Sequence, residues 1–257
     1  MLHLLLARYH QGHQTVAYPE APATLPDRFR GRPALDPARC PEGCRDCVEA
    51  CPTDALKVDA EGLGLDLGRC LFCQACTLAC PEGAITPGTE HRLAARKRED
   101  LVLRGSALAR VQALDHKMLK LFKRSLKLRQ VSCGGCNACE ADVNVLGTVV
   151  FDLGRFGIQY VASPRHADGL LITGPVTENM KLALRKTYDA VPAPRIVIAV
   201  GACAISGGPY AGHPEAHEGA SSVVPVDLFI PGCPPHPYTI LDGLLGLLDR
   251  LGPERIP

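Results

Sequence analysis

Residues 70–81 read CLFCQACTLACP. Cys70, Cys73, Cys76 and Cys80 stand at C-x2-C-x2-C-x3-C, and Pro81 follows the last of them. Three thiols this closely spaced wrap three iron corners of one cubane, and in this pattern the fourth Cys ligates the other of two clusters. A near copy precedes it at residues 40–52, CPEGCRDCVEACP, with Cys40, Cys44, Cys47 and Cys51 ahead of Pro52. The two runs therefore interleave. Cys40, Cys44, Cys47 and Cys80 are expected to hold one [4Fe–4S] cluster, and Cys70, Cys73, Cys76 and Cys51 another. The first run has three residues between Cys40 and Cys44 where the pattern has two, and Pro41 and Gly43 lie in that gap. A slightly longer turn accommodates the extra residue.

Other uses of thiols explain less. All-cysteine zinc sites use C-x2-C pairs separated by a longer gap, which leaves a third clustered Cys and a repeated C-P tail without a role. Disulfides belong to oxidising compartments, and no secretory leader is evident. The Cys-Pro turns also mark a repeat. CPTDAL at 51–56 and CPEGAI at 80–85 are one unit used twice, each predicting an apolar strand after the turn, at 55–58 and 84–86.

Composition limits the rest. The 257 residues, 46% of them hydrophobic, suffice for one large domain or two modest ones. A net charge of +1 and the lack of Trp supply neither a field nor a stacking platform for nucleic acid. No apolar run approaches the roughly 20 residues of a membrane-spanning helix. The short apolar start, MLHLLLAR, suits an interfacial helix on a membrane partner or a helix packed on soluble subunits.

Between about 90 and 130, Lys and Arg outnumber the opposing Glu99, Asp100 and Asp115. Leu108, Val111, Leu114, Met118, Leu121 and Phe122 follow helical spacing. They predict a basic amphipathic helix, docked on a partner or attracted to anionic headgroups. Three regions result: 1–90, a linker at 91–130, and 131–257.

Beyond the linker, apolar runs at 149–151, 169–173, 195–200 and 226–230 read as buried strands, with helices at 177–190 and about 237–251. Alternating strands and helices imply a mostly parallel sheet. Ligands sit beyond the carboxyl ends of such strands, and Cys203 and Cys233 follow the last two. SCGGCNACEAD at 132–142 adds Cys133, Cys136 and Cys139, so five thiols compete for the four corners of a third cluster. Gly134, Gly135, Gly207, Gly208 and Gly232 permit close backbone approach, whose N–H groups tune cluster sulfurs. His213, His217 and His236 have no Cys or carboxylate at ligand spacing and are expected in surface loops. With no evident nucleophile–base pair, phosphate loop or flavin motif, the chain reads as an electron relay and not a catalytic centre.

Two resemblances rest on these motifs. Residues 1 to about 90, with the lead-in AYPEAPATLPDRFRGRPALDPARC at 17–40, resemble the two-cluster ferredoxin subunits of membrane-bound hydrogenases and complex I. The remainder from about 127 resembles the small subunit of energy-converting (group 4) nickel–iron hydrogenases, related to the B subunit of complex I. CNACEAD, RFGIQYVASPRHADGLLITGPVT, GACAISGG and PGCPPHP carry that resemblance. Together they imply an α+β ferredoxin-like domain followed by an α/β, flavodoxin-like domain with a mostly parallel sheet.

The second resemblance implies a third [4Fe–4S] cluster on Cys136, Cys139, Cys203 and Cys233. Cys133 is then a buried thiol beside the site, or an alternative ligand replacing Cys136. The family's acidic residue falls on Asp142, which with Glu140 is a candidate for cluster tuning or proton relay. His166 falls where the family packs against its large subunit. The implied partners are a nickel–iron large subunit, membrane subunits and an external electron donor or acceptor protein, on the cytoplasmic face of the membrane. The complex I subunit carries two adjacent cysteines where this chain separates Cys136 from Cys139, which favours the hydrogenase type over a complex I-like quinone or ferredoxin oxidoreductase. A free-standing ferredoxin-type carrier is the reading from another class.

Overall fold

The structure, a computed structural model, describes residues 2–60, 62–105, 108 and 111–251. Helix α1 (Leu2–Gln11) leaves Leu2, Leu4, Leu5 and Tyr9 exposed. The chain then runs along the C-terminal half: the Val16 N–H donates to the Val150 carbonyl at 2.8 Å, and Arg155 donates to the Tyr18 carbonyl at 2.9 Å.

The two cysteine runs lie in a small α+β unit of β1 (Arg32–Leu35), α2 (Asp46–Glu49), β2 (Leu56–Asp59), β3 (Gly62–Asp66), α3 (Ala75–Ala79), β4 (Ile85–Glu90) and β5 (Val102–Arg104). Both strands expected after the Cys-Pro turns form, as β2 and β4, but in different sheets. β2, β3 and β5 make an antiparallel sheet, and β1 pairs antiparallel with β4. Leu56, Leu65, Leu67, Ile85, Leu101 and Leu103 fill the core between them.

The basic stretch differs from its expectation. Its helix, α4, spans only His116–Phe122, capped by the Asp115 carboxylate, which accepts from the Lys117 and Met118 N–H groups at 2.9 and 3.0 Å. Arg110 lies outside the described residues. The chain before α4 supplies β5, and several of its cations are internal ties. Arg96 donates to the Asp227 and Ala113 carbonyls, Arg98 forks onto Asp66, and Arg104 forks onto Asp59.

The C-terminal sheet has five parallel strands. They are β6 (Leu126–Ser132), β7 (Ile158–Tyr160), β8 (Gly169–Thr173), β9 (Ile196–Val200) and β10 (Leu228–Ile230), in the spatial order β10-β9-β8-β6-β7. Four helices accompany them: α5 (Ala138–Val145), α6 (Glu178–Ala190), α7 (Ala202–Ser206) and α8 (Pro237–Leu247). Counted within this unit the order is 2-1-3-4-5, the doubly wound arrangement whose direction switches between its first and third strands, here β6 and β8. The run at 149–151 is no strand. It forms turns with Val149 73% exposed, because α5 has only just ended and Gly147 and Asp152 bend the chain. The first strand is instead β6, inside the basic stretch.

The two units share one hydrophobic core. The Ser206 hydroxyl donates to the Gly68 carbonyl at 2.9 Å, and Ala95 bridges Phe229. Asp66 gathers the joint from the other side. It accepts from Arg98 at 2.8 and 2.6 Å and from the Gly68 N–H at 2.8 Å, with its side chain 18% exposed. Replacing Asp66 by Ala strands the Arg98 guanidinium, at a cost of about 1–3 kcal/mol. The thermal midpoint for bleaching of the holoprotein should fall by several degrees; an unchanged midpoint would show that this pair does not hold the joint.

Candidate functional site

The repulsions acting on the thiols run mostly within the three expected groupings. Burial raises Cys40, and Cys44 and Cys80 raise it further. Cys47 is pushed up to about 11 by burial, then by Cys40 and Cys80. In the second set burial pushes Cys70 up to about 12, against a lowering hydrogen bond from the Phe72 N–H, with Cys76, Cys51 and Cys73 adding to the rise. In the third, burial raises Cys139, followed by Cys203, Glu140, Cys233 and Cys136. Cys203 rises to about 11 by burial, then through Cys233 and Cys136.

The sets also touch one another. Cys76 of the second acts on Cys47 of the first, and Cys73 of the second acts on Cys233 of the third. Both of these links run through the 51/70/73/76 thiols. Cys133 is fully buried, and among the described residues Glu140 is the charged group that raises it beyond the effect of burial.

Local backbone explains the convergence. Residues 73–76 and 136–139 share the pattern C-x-A-C, a likeness that the longer runs around them conceal. In each, the residue after the first Cys is left-handed, Gln74 at φ 67° and Asn137 at φ 71°, and a helix starts at the next residue. That turn brings two thiols together. Asn tolerates such a φ readily, whereas Gln accepts some strain. The third set completes itself at the carboxyl ends of β6, β9 and β10.

Two glycines press backbone against sulfur. A Cβ on Gly201 (φ +91°) would stand 2.5 Å from Cys139 Sγ, and one on Gly208 (φ +56°) 2.8 Å from Cys203 Sγ. In the second set the Ala55 N–H donates to Cys51 Sγ at 3.2 Å and the Phe72 N–H to Cys70 Sγ at 3.3 Å. These are the contacts a sulfur-ligated cluster needs, since N–H groups directed at sulfur adjust its potential. A single ion draws its thiolates in to about 2.3 Å. Among the described residues no group of three or more His, Cys, Asp or Glu could hold one. A four-iron cubane takes its ligands on separate corners.

The acidic candidates differ. Glu140 is buried, and one of its oxygens accepts from Ser132 and Thr173 hydroxyls, each at 2.6 Å. Asp142 is half-buried at the edge of a cavity beside Cys233, and burial raises its carboxyl. His213 and His166 are exposed. His217 reaches Glu178 at 2.6 Å. His236 departs from its expectation as a surface residue: its Nδ1 caps α8 by accepting from the Tyr238 N–H at 3.2 Å, and its ring stacks on Tyr238.

Residues 136–247 match the family described as NADH ubiquinone oxidoreductase, 20 Kd subunit, and residues 39–85 match the 4Fe-4S dicluster domain. The chain is 40% identical over 134 residues to the probable membrane-bound hydrogenase subunit mbhJ of Pyrococcus furiosus, covering 52% of this chain and 80% of that protein. It is 43% identical over 143 residues to formate hydrogenlyase subunit 7 of Escherichia coli, covering 54% of this chain and only 56% of that protein. It is 42% identical over 121 residues to the B subunit of the NADH-quinone oxidoreductase of Geotalea uraniireducens, covering 47% and 71%.

Replacing Gly201 by Ala should displace Cys139 Sγ. The expected outcome is a lost or shifted EPR signal from the third site in the reduced holoprotein, with the other signals retained. An unaltered spectrum would mean that the close approach at Gly201 is not needed to seat Cys139.

Proposed function

The chain belongs to the family of the NADH ubiquinone oxidoreductase 20 Kd subunit, joined to a 4Fe-4S dicluster domain, and we propose that it relays single electrons through three [4Fe–4S] clusters to or from the catalytic large subunit of a membrane-associated group 4 nickel–iron hydrogenase. It is an electron-transfer subunit of a hydrogenase- or complex I-like oxidoreductase. The observation that carries the finer reading is that the thiol repulsions run mostly within three groupings, with links through the 51/70/73/76 thiols. Cys40, Cys44, Cys47 and Cys80 hold one cluster, Cys51, Cys70, Cys73 and Cys76 the next, and Cys136, Cys139, Cys203 and Cys233 the third.

Bound there, such a cluster supplies one-electron exchange with no bond made or broken in a substrate. The residues of this chain hold the iron, direct N–H groups at sulfur and keep water away from Cys47, Cys70 and Cys76, all buried. Cys73, Cys136 and Cys233 stay exposed, which leaves the third set open to a covering partner. Glu140 places a negative charge near Cys139 and Cys203, where it favours the oxidised cluster and tunes the potential downward. Asp142 is the candidate for a proton relay at that edge. We place the chain on the cytoplasmic face of the membrane, with membrane subunits and an external donor or acceptor protein as further partners. No helix among the described residues is long and apolar enough to cross a membrane.

The similarity to the B subunit of NADH-quinone oxidoreductase supports a second reading, the equivalent subunit of a quinone or ferredoxin oxidoreductase without nickel–iron. Nickel in the large subunit that co-purifies with the chain separates the two. Iron analysis should give about twelve atoms per chain, four for each cluster; about eight would remove the third site. Changing Cys139 to Ser should abolish the EPR signal of the third cluster and spare the other two, and loss of all three or of none would contradict the ligand assignment.

A further inference from the structure

The lead-in before β1 crosses the face where the second and third thiol sets meet. Phe29 lies edge-on to His236, ring centroids 5.3 Å apart, and so fixes this strap beside the Cys233 loop. A groove lies beneath it. The inner part, about 310 Å³, is lined by Arg28, Arg30, Phe72, Asp142, Cys233 and His236. An outer part of about 370 Å³ continues past Asp27, Arg28 and Arg30 to Gln74 and residues 87–89.

Arg28 and Arg30 are exposed. Among the described residues neither makes an ion pair or a side-chain hydrogen bond. Other arginines nearby are engaged: Arg92 with Glu90, Arg96 with backbone carbonyls, Arg98 with Asp66. The acidic groups of the groove, Asp142 on its inner lining and Asp27 on its outer lining, pair with neither arginine. The groove thus presents two unpaired guanidinium forks beside the exposed Cys233, a thiol on which the exposed Cys73 acts. Guanidinium forks match carboxylates in a bidentate fashion.

We propose that this groove is a clasp for an acidic segment of the catalytic large subunit, whose carboxylates pair with Arg28 and Arg30 and whose backbone covers the thiols of the second and third sets. The proposal rests on the functional reading above. Seating the segment there excludes water from both cluster edges at once, and the charge pairs set the rate and salt dependence of assembly.

The test uses the intact complex carrying a photoreactive benzoylphenylalanine in place of Phe29. The crosslink should map to a peptide of the large subunit in which several Asp or Glu lie close together. The variant R28E/R30E should retain about tenfold less large subunit at about physiological salt, and R28Q/R30Q should show a smaller loss that shrinks as salt rises, while the EPR signals of both show that the chain is folded. A crosslink to lipid, to a membrane subunit, to a second copy of this chain or to a non-acidic segment overturns the clasp, as does unchanged retention in R28E/R30E. If a large subunit is present and the crosslink goes elsewhere, only the clasp falls. If the unmodified chain purifies without any large subunit, the functional reading falls and the clasp with it.

Discussion

Crowding of thiols is the constraint from which the rest of the molecule follows. Each set brings ionisable sulfurs against one another, some of them out of water, and burial together with mutual repulsion pushes Cys47 and Cys203 up to about 11 and Cys70 up to about 12. A thiolate is the ligand, so the chain must hold these groups where only bound iron makes the charged form favourable. Flexible loops would relax and separate the sulfurs. The sequence answers with backbone that is fixed on its own account: left-handed Gln74 and Asn137 opening helices, glycines packed onto Cys139 and Cys203, and strand ends in a parallel sheet.

Rigidity within a set is not enough for a relay, because transfer also depends on the spacing between sets. Here the two units are not joined by a free tether. The stretch between them adds β5 to the first sheet, bridges Ala95 to Phe229 at the edge of the second, and then becomes β6. Arg98, Asp66, Gly68 and Ser206 form one connected joint, in which a Cβ on Gly68 would meet the Arg98 guanidinium at 2.7 Å and Ile205 at 2.8 Å. Arg96 and Arg98, two of the cations that give this stretch its linker-like composition, hold it to both units.

Such double duty explains which features the sequence disclosed. Ligand runs are local, so the spacing of Cys70 to Cys80 and its near copy could be read directly, and so could β8 and β9, buried at every position. β6 was obscured because Lys127 and Arg129 interrupt Leu126 and Leu128. Its period-2 alternation was a strand signal, masked by helical spacing just upstream. The opposite error occurred at Val149 and Val150, whose β-branched side chains resemble a strand but lie exposed in turns. The hydroxyl pair on Glu140 could not be foreseen, because it depends on residues brought together from separate elements, whereas the His236 cap is local and Pro237 at the first helical position was its signal.

Glu140 shows how the sheet supports the third set. Its carboxylate sits at the switch point and accepts from Ser132 at the end of β6 and Thr173 at the end of β8. A buried carboxylate without donors would be costly. With two hydroxyls on one oxygen it becomes a tie across the strands whose connections depart in opposite directions. Cys139 precedes it in the first turn of α5, so the tie sets the height of that thiol above the sheet. The same charge bears on Cys133, fully buried and held up to about 12 by burial and then by Glu140. Cys133 has no other cysteine among the groups that raise it, whereas Cys139 and Cys203 each take repulsion from Cys136 and Cys233. That separation from the other four thiols is the physical ground for proposing Cys133 as the one left out of the third set.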